Sequence, residues 1–136
     1  MILGITGGFG CGKSSVLRFF ASCQWFTMDA DAVCRGFYES GNPALLACVR
    51  ENFGKDMFFH DGSVDRKKLG GELFRHPEKM VLVTGVLYPL LTEKLRSSIA
   101  ACRKNGRDGA FEIPLLYEAG FEHCFDAVLS VWCPPV

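Results

Sequence analysis

Gly7-Gly8-Phe9-Gly10-Cys11-Gly12-Lys13-Ser14 matches the pattern G-x-x-x-x-G-K-[ST] in full. In such a loop, glycines let the backbone curl so that successive N–H groups point inward. The helix that follows adds partial positive charge at its N-terminus, the lysine reaches terminal phosphates and the hydroxyl ligates magnesium. Lys13 and Ser14 hold those last two positions, and Gly8, Gly10, Cys11, Gly12 and Ser15 complete an expected cradle for a nucleoside triphosphate. A glycine-rich turn with a solvated lysine is the weaker alternative, since a strand pattern precedes the loop and a helix pattern follows it. Cys11 fills a variable position and reads as spacing. Because a helix N-terminus lowers thiol pKa, oxidation sensitivity is its second reading.

Phosphoryl transfer to a hydroxyl also needs a carboxylate that orients the hydroxyl and takes its proton. Asp29 and Asp31 are the candidates, just after a second strand pattern. Helix capping by Asp31, directly before Ala32-Val33-Cys34, suits its position equally well. Arg35, four residues further on, can pair with Asp31, contact a substrate phosphate, or be a solvated surface arginine. Glu112 lies inside an apolar strand before Ile113-Pro114 and resembles an acid that holds magnesium through water; a buried acid without such a role is costly. Glu118 carries a weaker signal, because a glutamate in a helix's first turn is ordinary. His60, His76 and His123 are dispersed and show no metal-ligand spacing. Trp25, Trp132 and most of the twelve phenylalanines read as core by position.

The elements that must position these groups follow from periodicity and punctuation. Met1 to Thr6 is a short apolar strand, glycines follow, and a helix runs from Lys13 to Cys23 with Val16, Leu17, Phe19 and Phe20 as candidate buried positions. Trp25 to Met28 is a second strand, so Asp29 and Asp31 fall at a strand end, where open α/β sheets place chemistry. From Ala32 to about Asn105 the pattern is helical and interrupted. Asn42-Pro43 opens one helix, Asp65 caps another, Pro77 starts a third, and Asn105-Gly106 stops the last. His60-Asp61-Gly62-Ser63 is a turn, and Leu91, Leu95, Ile99 and Cys102 share one helical face. Gly109 to Pro114 and Ala127 to Cys133 read as further strands, apolar on both faces as covered parallel strands are. The expected architecture is an α/β, three-layer phosphate-loop kinase fold. Its nucleotide-binding core comprises residues 1–31 and 107–136, with a helical acceptor-binding insertion over 32–106.

At 136 residues and 49% hydrophobic composition, one globular domain with a real core is expected. Fifteen basic residues balance fifteen acidic ones, which argues against a broad positive field for nucleic acid or anionic membrane. The apolar runs Met80 to Leu91 and Ala127 to Val136 are too short to span a bilayer, and no export signal is read, so the expectation is cytoplasmic. Seven scattered cysteines without a CxxC pair read as free, buried thiols. The chain stops at Cys133-Pro134-Pro135-Val136, directly after a strand pattern, and truncation at the C-terminus is the expectation.

Several blocks together resemble dephospho-coenzyme A kinase. They are Leu3 to Gly8 leading into Gly10 to Ser15, Asp29-Ala30-Asp31 with Arg35, Gly41 to Leu45, and Gly62 to Arg66 with Leu69, Phe74 and Pro77. Tyr88-Pro89-Leu90 and Ile113 to Gly120 continue the resemblance, which covers the whole chain. It implies ATP-dependent phosphorylation of the ribose 3'-hydroxyl of dephospho-coenzyme A, the last step of coenzyme A synthesis, with ATP and Mg2+ required. Asp31 is then the catalytic base and Lys13 and Ser14 keep their phosphate and metal roles. Thr6, Asp29, Arg35, Tyr88 and Glu118 fall on the acceptor side, and Glu112 is a second magnesium residue. Tyr88 stands where the family usually has histidine and Glu112 where it has aspartate. Tyrosine donates one hydrogen bond but does not become a cation near pH 7. The family continues into a lid helix with arginines, a fifth strand and a final helix, so the resemblance implies a chain that binds nucleotide and barely turns over, with an aggregation-prone edge near Ala127 to Cys133. Another metabolite or nucleoside monophosphate kinase, a nucleotide-dependent switch and a non-catalytic remnant are the competing readings.

Overall fold

A glycine-punctuated apolar strand beside a helix that lacks its own first-turn partners needs neighbours to complete it, and the computed structural model supplies them from distant parts of the chain. It describes residues 1–8, 10–114, 116 and 120–134. Four strands, β1 (Ile2–Gly7), β2 (Phe26–Asp29), β3 (Gly109–Glu112) and β4 (Ala127–Val131), form one sheet in the order β2-β3-β1-β4. All three pairings are parallel. Helix α1 (Lys13–Ser22) packs against β1, β2 and β3. The remaining helices are α2 (Ala30–Glu39), α3 (Pro43–Phe53), α4 (Arg66–Arg75) and α5 (Met80–Lys104). This is the α/β arrangement expected for a phosphate-loop fold.

The described residues divide into two compact units, one of residues 1–32 with 94–136 and one of residues 33–93. In the first, Ile2, Ile5, Ala110, Phe111, Ile113 and Leu116 are almost fully buried, and β3 is buried along its whole length because strands flank it on both sides. Leu95, Ile99 and Cys102 of α5 are buried as the helical face predicts. A Cβ on Gly109 would come within 3.2 Å of the Cys102 sulfur, so glycine there permits the close approach of α5 to the sheet. The start of β1 is tied down by polar contacts. Asp126 accepts hydrogen bonds from Ile2 N (2.8 Å) and Arg103 Nη2 (3.0 Å).

In the second unit, Val49, Met57, Val64 and Leu69 form a core against which Tyr38, Leu46, Phe53, Phe58 and Leu73 pack. Its helix starts are those the punctuation predicts. Asn42 Oδ1 accepts from Leu45 N (3.2 Å) to cap α3, and Asp65 Oδ1 accepts from Lys68 N (3.1 Å) to cap α4. The turn at Asp61 is held by Ser63, whose backbone N–H and hydroxyl both donate to Asp61 Oδ1. Burial, followed by the neighbouring Cys34 and Cys48, pushes the Tyr38 phenol up to about 12.

Four expectations are corrected. Ala127 to Val131 is not buried on both faces: β4 is the edge strand, pairs only with β1 among the described residues, and exposes Ala127, Leu129 and Ser130. In α1 none of Val16, Leu17, Phe19 and Phe20 is fully buried: Val16, Leu17 and Phe20 are half-buried, and Phe19 turns 61% of its surface to solvent. Trp132 and Phe74 are likewise outside any core, at 79% and 88% exposed; Trp132 lies past the end of β4, and Phe74 is off the α4 face that carries Leu69 and Leu73 into the core. The cysteines are not uniformly free and buried. Of those outside a disulfide only Cys48 and Cys102 are buried, and Cys11 is joined to Cys133 by a disulfide.

Candidate active site

The phosphate loop sits where β1 gives way to α1. Gly10 and Gly12 adopt φ of 74° and 93°, a left-handed backbone that favours glycine, and Gly12 is the N-cap of α1. Gly7 is required for a different reason: a Cβ there would collide with the carbonyl oxygen of Val131 on the neighbouring β4. A cap with no side chain leaves the first N–H groups of α1 directed at the loop, as an anion site requires. Lys13 Nζ donates to Gly7 O (2.9 Å) and Gly8 O (3.3 Å), so its ammonium closes over the loop. Ser14 and Ser15 are exposed, and Ser15 Oγ accepts from Arg18 Nη2 (3.0 Å).

The strand order decides what faces this loop. Because β3 lies between β1 and β2, Glu112 is in register with Ile5 on one side and Asp29 on the other. Three strand ends from distant parts of the chain thereby meet on one rim. Glu112 is 5% exposed and its Oε2 has no hydrogen-bond partner among the described residues. Burial pushes its carboxyl up from the usual range, Asp29 and Asp31 push the same way, and Lys13 pulls it back. Carboxylates of Asp29, Asp31 and Glu112 thus share one field with the Lys13 ammonium. That is a site short of positive charge.

Asp29 and Asp31 divide their labour differently from the two readings their spacing left open. Asp29 Oδ1 accepts from Asp31 N (2.9 Å) and Ala32 N (3.4 Å), so Asp29 performs the capping of α2. Asp31 occupies the first turn of α2 and is exposed, its carboxylate not used as the cap. Thr6, 8% exposed, is in register with Ser130 at the loop end of β1. Arg35 is exposed on α2, and Tyr88, 43% exposed, lies in α5; both belong to the second unit. Glu118 lies outside the described residues. No group of three or more His, Cys, Asp or Glu is arranged as a metal cage among the described residues, and no helix there is long and apolar enough to cross a membrane.

The residue that sequence reasoning missed is Cys133. It bonds to Cys11 across 122 positions with a Cα–Cα distance of 5.3 Å. No spacing rule pairs cysteines that far apart, and the contact arises because β4 lies beside β1 and ends next to the phosphate loop.

The family model described as dephospho-CoA kinase matches residues 1–136. The chain belongs to the dephospho-CoA kinase family. Among curated relatives, a dephospho-CoA kinase of Bacillus licheniformis is 35% identical over 135 residues, covering 98% of this chain and 67% of that protein. One from Enterococcus faecalis is 38% identical over 133 residues, covering 98% and 66%. A crystal structure from Thermus thermophilus superimposes with a TM-score of 0.77 at 29% identity, covering 98% of this chain and 66% of that one. A dephospho-CoA kinase structure from Campylobacter jejuni, 21% identical with a TM-score of 0.76, shares the fold over 95% of this chain and 64% of its own. The chain spans about two thirds of the length of these proteins.

Proposed function

We propose that this chain carries the phosphate-transfer core of an enzyme that uses ATP to phosphorylate the ribose 3'-hydroxyl of dephospho-CoA. The observation that carries the reading is the juxtaposition of Lys13, Asp29, Asp31 and Glu112 at the sheet rim beside a complete phosphate loop, in a chain of this family. Lys13 exchanges the Gly7 and Gly8 carbonyls for the terminal phosphates of ATP, while N–H groups of the loop, from Gly8 to Ser15, hold the remaining phosphate oxygens. Asp31 accepts the proton of the attacking hydroxyl. Its release from capping supports that assignment, since Asp29 already satisfies the start of α2.

The residues present fit magnesium. A buried carboxylate oxygen without a partner beside two further acids suits a hard cation with oxygen ligands, and Ser14 and Glu112 are the residues we assign to it. When bound, Mg2+ neutralises charge on the phosphates. Thr6 and Asp29 are assigned to the acceptor side, with Arg35, Tyr88 and Glu118 joining them on the strength of the family resemblance. The helical segment of residues 33–93 is the proposed acceptor-binding part. A small-molecule acceptor and a cytoplasmic setting are the reading that goes with the family.

Two measurements test this. Binding of a fluorescent ATP analogue, mant-ATP, with Mg2+ reads the donor half without requiring turnover, and Lys13→Ala is expected to weaken it at least about tenfold. ADP release across dephospho-CoA, nucleoside monophosphates and shikimate reads the acceptor, and release is expected with dephospho-CoA alone. Asp31→Asn is expected to lower turnover by about 100-fold or more with mant-ATP affinity nearly unchanged. Release with a nucleoside monophosphate only overturns the choice of acceptor.

A further inference from the structure

Cys11 is the fifth residue of the phosphate loop, and its disulfide partner Cys133 is the second residue past the end of β4. The bond therefore fastens the loop to the neighbouring strand, at the place where β4 also presses the Val131 carbonyl against Gly7. In this cross-linked state, Cys11 N donates to Gly8 O (3.3 Å) and Lys13 Nζ donates to Gly7 O and Gly8 O. The N–H of Cys11 and the Lys13 ammonium, both wanted by a bound phosphate, are thus turned onto the loop itself.

We propose that Cys11 and Cys133 form a reversible thiol–disulfide switch that weakens nucleotide binding when oxidised and restores it when reduced. The inference rests on the phosphate loop's being the ATP site. A loop that wraps phosphate must let its amides turn inward and its lysine leave the backbone carbonyls. A covalent tether at the loop's fifth residue restricts that rearrangement. Chemistry and access favour exchange. Cys133 is exposed and Cys11 is partly exposed. Cys11 immediately precedes the N-cap of α1, with Lys13 two residues on, a setting that stabilises a thiolate.

The oxidant we name is a low-molecular-weight disulfide such as oxidised glutathione. The Cys11 thiolate attacks one of its sulfurs and displaces one glutathione thiolate, which leaves a mixed disulfide. The Cys133 thiolate then attacks the Cys11 sulfur and displaces the second. Two protein thiols become one disulfide, one small disulfide becomes two thiols, and the protons pass to the departing thiolates. A dithiol reductant reverses both steps.

The test measures mant-ATP affinity, with Mg2+, on the chain poised in reduced and oxidised glutathione buffers, with peptide mass mapping on the same samples. The expected result is a Cys11–Cys133 linked peptide in the oxidised sample, at least about tenfold weaker binding there, and full recovery on reduction. Cys133→Ser and, independently, Cys133→Ala cannot form the cross-link and are expected to bind as the reduced chain does in the reduced buffer; in the oxidised buffer they are expected to lose affinity only in step with a glutathione adduct on Cys11 seen in the peptide map, and circular dichroism checks that each is folded. Equal affinity with and without the cross-link, failure of the linked peptide to form, or an oxidative loss in both Cys133 variants without a glutathione adduct on Cys11 overturns the switch. That last outcome would trace the effect to the exposed Cys23 or the half-exposed Cys34 and Cys124. Absence of nucleotide binding in the reduced chain is a different failure. It overturns the ATP-site reading first, and the switch falls with it.

Discussion

Glu112 sets the electrostatics of the rim. Its buried, unpartnered oxygen and the pressure from burial and from Asp29 mean that the native state holds its proton more tightly than the unfolded chain does. A raised carboxyl makes its contribution to stability in full below the ordinary value of 4.5 and loses it as pH rises through the native value. Glu112→Gln is therefore expected to stabilise the chain at pH 7 and to have little effect near pH 4. Urea unfolding at the two values checks this. The same substitution is expected to weaken magnesium-dependent mant-ATP binding, as a stability gain at a functional acid implies. At this scale the phosphate-loop residues were legible in sequence because their chemistry is written contiguously. The division between Asp29 as cap and Asp31 as free acid was not, since either residue satisfies the rule for a helix start.

Among the elements, β1 depends on groups at its first residue as much as on its ladder. Asp126 accepts from Ile2 N and from Arg103, and the Arg103 hydrogen bond, followed by that of Ile2, holds its carboxyl below the usual range. A depressed carboxylate contributes above its unfolded value and loses that contribution as pH falls through the native one. Asp126→Asn is accordingly expected to lower the thermal midpoint at pH 7 and to leave it nearly unchanged near pH 2, by calorimetry at both. Strand and helix existence was legible from period and punctuation, and the caps at Asn42 and Asp65 are where the sequence placed them. Burial was less so. The Ala127–Val131 strand has the composition of a covered strand, yet composition does not say whether a strand lies at the centre or the edge, and β4 lies at the edge. Leu129, 39% exposed there, is a site where Leu129→Lys is expected to reduce aggregation in light-scattering measurements without changing the far-ultraviolet circular dichroism.

For the whole molecule, the two compact units carry separable tasks in the proposed function. Lys13, Asp29, Asp31 and Glu112 all belong to the first, whereas the core of Val49, Met57, Val64 and Leu69 belongs to the second. Leu69→Ala, at a site 2% exposed, is expected to cost about 2–5 kcal/mol of stability while mant-ATP affinity under folding conditions changes less than about threefold. Chemical unfolding with binding titrations on the same variant tests the separation. By itself, the sequence determined the phosphate loop, the capped helices and the family, because each is encoded in residues close together or in the order of blocks along the chain. Tertiary structure decided which distant groups meet. The strand order β2-β3-β1-β4 sets Glu112 beside Asp29 and brings Cys133 to Cys11. Parallel crossovers join strand ends separated by long stretches of chain, and no local pattern records which strand will lie next to which.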